Sequence, residues 1–155
     1  MAQRLLDAAP AAVDTAWRLA GHTVLDVGTG TGNAAVLAAH AGGVVSGVDP
    51  TAELLATAAH RARQENLTVM WQEGAAERID LAGLSFDRVL SVFGAMYSPN
   101  PAAAANELVR CCRPGGRIVV AAWRLDSFMA AANRAVAPYL PPPPPVAPAH
   151  AMGRR

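Results

Sequence analysis

The amino-acid sequence predicts an α/β fold, a parallel sheet of five strands with helices on both faces. Short continuous apolar runs alternate along the chain with segments of helical periodicity. Strands of that kind are buried on both faces and joined by crossover helices. The first run leads directly into a loop with glycine at every second position, VLDVGTGTGNAAV (24–36), and then into a helix. In an open parallel sheet such a loop stands beyond the C-terminal strand ends, where ligands bind.

The elements follow in order. Leu5, Leu6, Ala9, Ala12, Val13, Ala16 and Ala20 recur near the helical period across residues 3–20, and Pro10 is expected to divide that run into two short helices. His22 to Val27 reads as the first strand, and Thr31 to Ala41 as a helix ended by Gly42-Gly43. Val44 to Val48 is the second strand; Thr51 is the expected N-cap of a helix running to about Glu65. Leu67 to Gln72 (LTVMWQ) is the third strand and Phe86 to Phe93 (FDRVLSVF) the fourth. Asn100-Pro101 sets an N-cap before a proline at the first helical position, opening a helix to Cys112. Arg113-Pro114-Gly115-Gly116 is expected to stop that helix, and Arg117 to Trp123 (RIVVAAW) is the fifth strand. Asp126 or Ser127 caps a last helix to about Ala137. Residues 138–148 (PYLPPPPPVAP) hold seven prolines and are expected to be extended or disordered, so that residues 1–137 form the domain and 138–155 a proline-rich tail.

Composition narrows the chemistry. At 155 residues the chain is one domain by length, able to bury roughly 70% of its unfolded surface. Its apolar share of 52% is dominated by alanine, with only three Phe, three Trp and two Tyr, which favours close helix–sheet packing over an aromatic core. A net charge of +1 supplies no field to draw nucleic acid or acidic membranes. All thirteen basic residues are arginine, which excludes a phosphate-binding loop lysine, a Schiff-base lysine and a lysine general base. Cys111 and Cys112 are adjacent, a spacing that suits neither a disulfide framework nor zinc; they are expected to be reduced and structural. With no export signal and no apolar window of about 20 residues, the chain is expected to be cytoplasmic and without a membrane span.

The glycine loop carries the functional signal. Glycine lets a backbone approach a ligand closely and present amide N–H groups at a helix N-terminus. The dinucleotide fingerprint G-x-G-x-x-G would need glycine at position 33, where this chain has Asn33; the spacing here is G-x-G-x-G, with Asp26 two residues before Gly28. This opposes a nicotinamide dinucleotide. A second acid, Asp49, ends the second strand in VVSGVDP, where its carboxylate is placed to accept both hydroxyls of a ribose. Charge-assisted hydrogen bonds of that kind contribute roughly 1.5–3 kcal/mol.

With these residues in view, the sequence resembles the class I S-adenosylmethionine-dependent methyltransferases, and is most similar to the small-molecule branch related to ubiquinone/menaquinone-biosynthesis enzymes. Five segments carry the likeness in order: DVGTGTG (26–32), GVDPT (47–51), EGAAE (73–77), FDRVLSVFGAMYSPNP (86–101) and LVRCCRPGGRIVVAAW (108–123). Together they cover about residues 4–137. The resemblance implies a Rossmann-like doubly wound sheet in strand order 3-2-1-4-5 and S-adenosylmethionine as cofactor. It implies that Gly28, Thr29 and Gly30 line the methionine and ribose side, and that Asp26 orients the loop and helps hold the amino group through water. Asp49 would take the ribose hydroxyls, Ala75 and Ala76 would lie beside the adenine, and Ser91 near the methionine end. The activity implied is methyl transfer to a small organic acceptor.

Two departures from the family matter. Ala75 stands where the family carries an aspartate that accepts a hydrogen bond from the adenine amino group, and losing such a bond costs about 0.5–1.5 kcal/mol. Glu73 and Glu77 are the nearby carboxylates available to replace it. The chain also looks shortened at both ends, with the family's last two strands missing, which would leave RIVVAAW as an apolar edge strand. A second copy of the chain or a partner chain is expected to cover it, and a cofactor-binding module completed by another polypeptide is the alternative to a self-sufficient enzyme. Methyl transfer is a displacement helped chiefly by alignment, so no catalytic base is assigned. Tyr97 is the polar group best placed to meet a substrate. His22, His40, His60 and His150 read as surface or structural residues, and no cluster suggests a metal site.

Overall fold

The computed structural model describes residues 8–16, 18–124 and 126–140. The start of the first helical run, most of the proline-rich stretch and His150 lie outside the described residues. What is described falls into two compact units, one within Met1–Ala122 and one within Trp123–Arg155.

The first unit contains helix α1 (Ala8–Ala16), strand β1 (Thr23–Val27), α2 (Asn33–His40), β2 (Val44–Asp49), α3 (Ala52–Gln64), β3 (Val69–Glu73), β4 (Phe86–Val92), a short 3-10 turn (Ala95–Tyr97), α4 (Pro101–Cys111) and β5 (Cys112–Ala121). The five strands are parallel and lie in the expected order β3-β2-β1-β4-β5. Helix α1 carries Pro10 in its first turn, where a missing N–H costs little; the earlier part of the run that Pro10 is expected to divide lies outside the described residues. The second unit holds α5 (Phe128–Val136), capped by the Ser127 hydroxyl, which accepts from Ala130 N–H at 3.2 Å.

The period-2 alternation of β1 and β4 divides the core in two. Val24 and Leu90 join Ala9, Val13, Ala16, Ala34, Ala35 and Ala38 beneath α1 and α2. Leu25 and Val89 join Phe86, Leu108 and Cys111 beneath α4 on the other side. Alanine dominates the first layer because small side chains let α1 and α2 settle close to the sheet. Asp26 falls in the same alternation as Val24, so a carboxylate occupies a core position. Trp71 closes the gap left by glycine: a Cβ on Gly47 would lie 2.6 Å from its ring, and one on Gly32 would lie 3.0 Å from it.

Three local expectations need correction, and a fourth, Thr51, holds in position without the side-chain bond of a cap. Helix α2 starts at Asn33, because Gly32 takes the N-cap in the left-handed region (φ 82°) and keeps Thr31 in the loop. Thr51 stands at the N-cap of α3, but its side chain makes no capping bond; its N–H instead donates to Asp49 Oδ1 at 2.9 Å. Strand β3 begins two residues late because the end of α3 consumes them: Asn66 adopts φ 56° and Leu67 N–H returns to Ala62 O at 2.9 Å, a left-handed helix cap. The Arg113–Gly116 segment does not separate helix from strand. Strand β5 begins at Cys112, and its register with β4 passes from Phe86↔Cys112 to Arg88↔Arg117. Residues 113–116 are thus a bulge, a place where proline and a positive-φ glycine (Gly115, φ 75°) are tolerated inside a strand.

Asn100 behaves as expected, its side chain accepting from Ala103 N–H at 3.1 Å. Cys111 and Cys112 are free and buried, and burial pushes both thiols up, which keeps them protonated. No described helix is long and apolar enough to cross a membrane.

Leu90 is fully buried at the centre of the sheet, whereas Val109 is 63% exposed on α4. Leu90→Ala is expected to lower the unfolding free energy by about 2–5 kcal/mol in urea denaturation. Val109→Ala is expected to stay within about 0.5 kcal/mol of the parent.

Candidate functional site

The site grows from the C-terminal ends of β1, β2 and β4. The chain leaves β1 at Val27 and turns toward β2, where the N–H groups of Gly28 and Thr29 donate to Val48 O at 2.8 and 3.0 Å. Gly28 has φ 68°, and a Cβ there would lie 2.5 Å from Gly94 Cα. The loops after β1 and β4 therefore touch backbone to backbone. Ser91 fastens them: its hydroxyl donates to Val27 O at 2.8 Å and accepts from Ala95 N–H at 2.9 Å. Next to this contact Phe93 sits in the left-handed region (φ 59°) with its N–H bonded to Ala121 O at 2.9 Å. Non-glycine residues reach that region at a cost of order 1–3 kcal/mol, and they gather at functional sites.

Asp26 is 1% exposed. Its Oδ2 accepts from the Thr29 hydroxyl at 2.6 Å and from Ala35 N–H at 3.1 Å, the latter in the first turn of α2. Its Oδ1 is buried and has no hydrogen-bond partner among the described residues. Burial pushes the carboxyl up from its ordinary 3.8 to about 6; the bonds from Thr29 and Ala35 oppose that rise, and the nearby Asp49 charge adds to it. A buried acceptor with spare capacity is a costly feature unless something donates to it.

Asp49 ends β2. Its Oδ2 accepts from Gly30 N–H at 2.8 Å while its Oδ1 accepts from Thr51 N–H at 2.9 Å. One carboxylate thus holds the glycine loop with one oxygen and the entry to α3 with the other. Each oxygen of an ionised carboxylate can accept more than one donor, so both retain capacity toward a ligand.

Two cavities open here and share Gly28 and Phe93. The larger, of about 410 Å³, is lined by Asp49, Leu54, Ala75, Ala76, Glu77 and Tyr97 among others. The smaller, of about 210 Å³, is reached by Asp26, Thr29, Asn33 and Val92. Small-molecule sites typically occupy roughly 300–1,000 Å³, and the larger cavity falls in that range. The orphaned Asp26 oxygen beside the smaller cavity suits a cationic amino group, and Asp49 beside the larger suits a diol. These are the donor groups of S-adenosylmethionine, so the residues present fit that molecule.

Of the residues singled out from sequence, Asp26, Gly28 and Thr29 meet at the smaller cavity, and Gly28, Asp49, Ala75 and Ala76 at the larger. Gly30 lines neither and instead donates to Asp49. Ser91 is fully buried and also lines neither; it staples the two loops from behind. Tyr97 stands 69% exposed on the larger cavity. Glu73 is exposed and off the cavity, whereas Glu77 is on it. His40 is engaged elsewhere, its Nε2 lying 2.5 Å from Glu65 Oε2, and no described histidine lines either cavity. Sequence reasoning missed Gly94 and Phe93. The only available signal was the placement of a glycine directly beyond the fourth strand.

A family model described as a methyltransferase domain matches residues 25–120. An uncharacterized protein of Mycobacterium tuberculosis is 43% identical over 121 residues, covering 78% of this chain and 44% of that protein. The ubiquinone/menaquinone biosynthesis C-methyltransferase of Rubrivivax gelatinosus is 36% identical over 114 residues, 70% of this chain and 44% of the relative. The crystal structure of an S-adenosylmethionine-dependent methyltransferase from Thermotoga maritima aligns with a TM-score of 0.68 at 25% identity, covering 84% of this chain and 57% of that one. The chain spans less than half the length of these two curated relatives.

The raised Asp26 carboxyl has a defined consequence for stability. Its favourable contribution is fully present below pH 3.8 and is lost as pH rises through about 6, a change of about 3 kcal/mol. Asp26→Asn keeps an oxygen for Thr29 and Ala35 but carries no charge. Relative to the parent, D26N is expected to gain stability by up to about that amount between pH 4 and pH 7, read from paired denaturation curves.

Proposed function

The chain belongs to the class I S-adenosylmethionine-dependent methyltransferase family, and on that premise we propose that it binds S-adenosylmethionine and directs methyl transfer to a small organic acceptor. The observation that carries this reading is the 2.8 Å bond between Gly30 N–H and Asp49 Oδ2, which joins the glycine loop and the second-strand acid at one cavity edge. Asp49 takes the ribose hydroxyls while keeping the loop closed. The free oxygen of Asp26 receives the amino group, through water or directly. Gly28 and Thr29 border the methionine and ribose side, Gly30 acts through Asp49, and Ser91 holds the loop behind the methionine end. Ala75 and Ala76 border the base.

The bound cofactor supplies a sulfonium methyl group, and the chain's own task is alignment. Rigid placement of the two reactants supplies much of the acceleration in a displacement of this kind. The Gly28–Gly94 contact and the Ser91 staple provide that rigidity beneath the cavity. Tyr97, exposed on the larger cavity, is the side chain positioned to meet the acceptor. The Rubrivivax relative, whose name describes a quinone-pathway C-methyltransferase, supports an acceptor of small-molecule size.

Calorimetric titration with S-adenosylhomocysteine tests the reading. Micromolar binding is expected, weakened about ten-fold or more by Asp49→Ala. A folded wild-type chain that does not bind overturns it.

A second reading, a cofactor-binding module completed by another polypeptide or a second copy, draws on strand β5. It is an edge of the five-stranded sheet, with Val120 52% and Ile118 36% exposed, and apolar edges invite pairing. Concentration-dependent association in sedimentation is the expected outcome; a monodisperse monomer at high concentration counts against it.

A further inference from the structure

Building on the cofactor reading above, we propose that Arg61 is a positioning residue for ligand binding: from α3 it fixes the far end of the glycine loop, and it does so without touching the ligand. Arg61 Nη1 donates to Thr31 O and to Asn33 Oδ1, both at 2.7 Å. A guanidinium donates and never accepts, so the two Nη1 hydrogens are matched by two acceptors on the residues that flank Gly32. Arg61 is half-buried and lines neither of the cavities that share Gly28 and Phe93. Its effect on a ligand there must pass through the loop.

The loop needs such a hold at two points. Gly30 and Gly32 have φ of 55° and 82°, and glycine turns through that region at little steric cost. The peptide units containing their nitrogens are therefore the ones freest to turn over. In the first unit, Gly30 N–H is held by the Asp49 carboxylate at 2.8 Å. In the second, Arg61 holds the Thr31 carbonyl while Gly32 N–H bonds Thr29 O at 2.9 Å. An anion grips an N–H in one unit and a cation grips a carbonyl in the other. Hydrogen bonds to charged groups are the stronger kind, so both orientations are set by side chains from outside the loop.

One helix coordinates the two grips. Asp49 Oδ1 accepts from Thr51 N–H at the N-cap of α3, and Arg61 stands in the last turn of that helix. Between them Ala58, fully buried, backs the loop: a Cβ on Gly32 would lie 3.0 Å from the Ala58 Cβ. Residues three apart share a helix face, so Ala58 supplies the close approach and Arg61 the bonds. Glu65 follows on the same face, yet it pairs with His40 at the end of α2 and leaves the guanidinium to the loop. That second link joins the same two elements while bypassing the loop, which makes it an internal control. A loop seated correctly only part of the time binds with an affinity lowered by that fraction.

Calorimetric titration with S-adenosylhomocysteine compares the wild-type chain with Arg61→Met, Arg61→Lys and His40→Ala. Methionine keeps an apolar stem and removes the donors, and R61M is expected to weaken binding about five- to ten-fold. R61K keeps the charge but not the planar fork, so it is expected to fall between wild type and R61M; it decides the matter by itself if R61M does not fold. H40A is expected to bind within about two-fold of wild type, whatever it does to the melting temperature. In the ligand-free chain, hydrogen exchange at Gly32 N–H is expected to quicken in R61M and not in H40A. Wild-type affinity in folded R61M overturns the assignment, as does equal weakening in R61M and H40A, or an unchanged exchange rate at Gly32. If S-adenosylhomocysteine fails to bind the folded wild-type chain, the cofactor reading falls and this role with it; binding indifferent to R61M overturns the role alone.

Discussion

The contact on which the site depends is the meeting of two backbones at Gly28 and Gly94. Neither position has room for a methyl group, since a Cβ on Gly94 would lie 2.6 Å from Val27 O and 2.7 Å from Gly28 Cα. With both loops seated, the ends of β1 and β4 form one continuous floor. Ser91 can then bond both sides of the junction, Gly30 comes within reach of Asp49, and Phe93 is held in a conformation it would not choose alone. These interactions cluster at one junction, and the junction itself has room for neither of the two missing side chains.

Around this floor the chain distributes charge unevenly. Asp87, Glu107 and Asp126 sit with arginines in open or half-buried ion pairs, which contribute little to stability individually. Asp26 is different: it takes a position that the strand alternation would give to an aliphatic side chain, and it has donors for only one oxygen. A core that carries such a group accepts a loss of stability where a ligand can relieve it. Small close-packed alanines beneath α1 and α2 are what allow this, because they hold the first turn of α2 near enough for Ala35 N–H to reach the carboxylate.

The five strands were legible because they are apolar runs of the right length between clear punctuation, and their order came with the family resemblance. The acids Asp26 and Asp49 and the glycine loop were legible for the same reason, as polar interruptions at strand ends. Errors fell where tertiary contacts override local signals. Pro-Gly-Gly after Cys112 reads as a stop in any local scheme, yet pairing with β4 carries the strand through it as a bulge. Leu67 has strand propensity, yet the helix before it claims its N–H. Thr51 does take the N-cap position, but its N–H goes to Asp49 and its side chain makes no capping bond. Ser91 was named through the family resemblance; its bonds to Val27 O and Ala95 N–H join residues that no periodicity brings together.

Trp71 ties two of these regions together. Its ring fills the space above Gly47 and reaches Gly32, which lie on different elements and share no sequence motif. The three positions consequently form one steric bargain: the ring needs both glycines, and the glycines leave a void unless a large planar ring covers them. Mutational paths through this part of the protein are therefore narrow. A smaller residue at position 71 opens a hole next to the glycine loop, and a larger one at position 32 or 47 displaces the ring, so that viable change there requires paired substitution across the loop and the sheet.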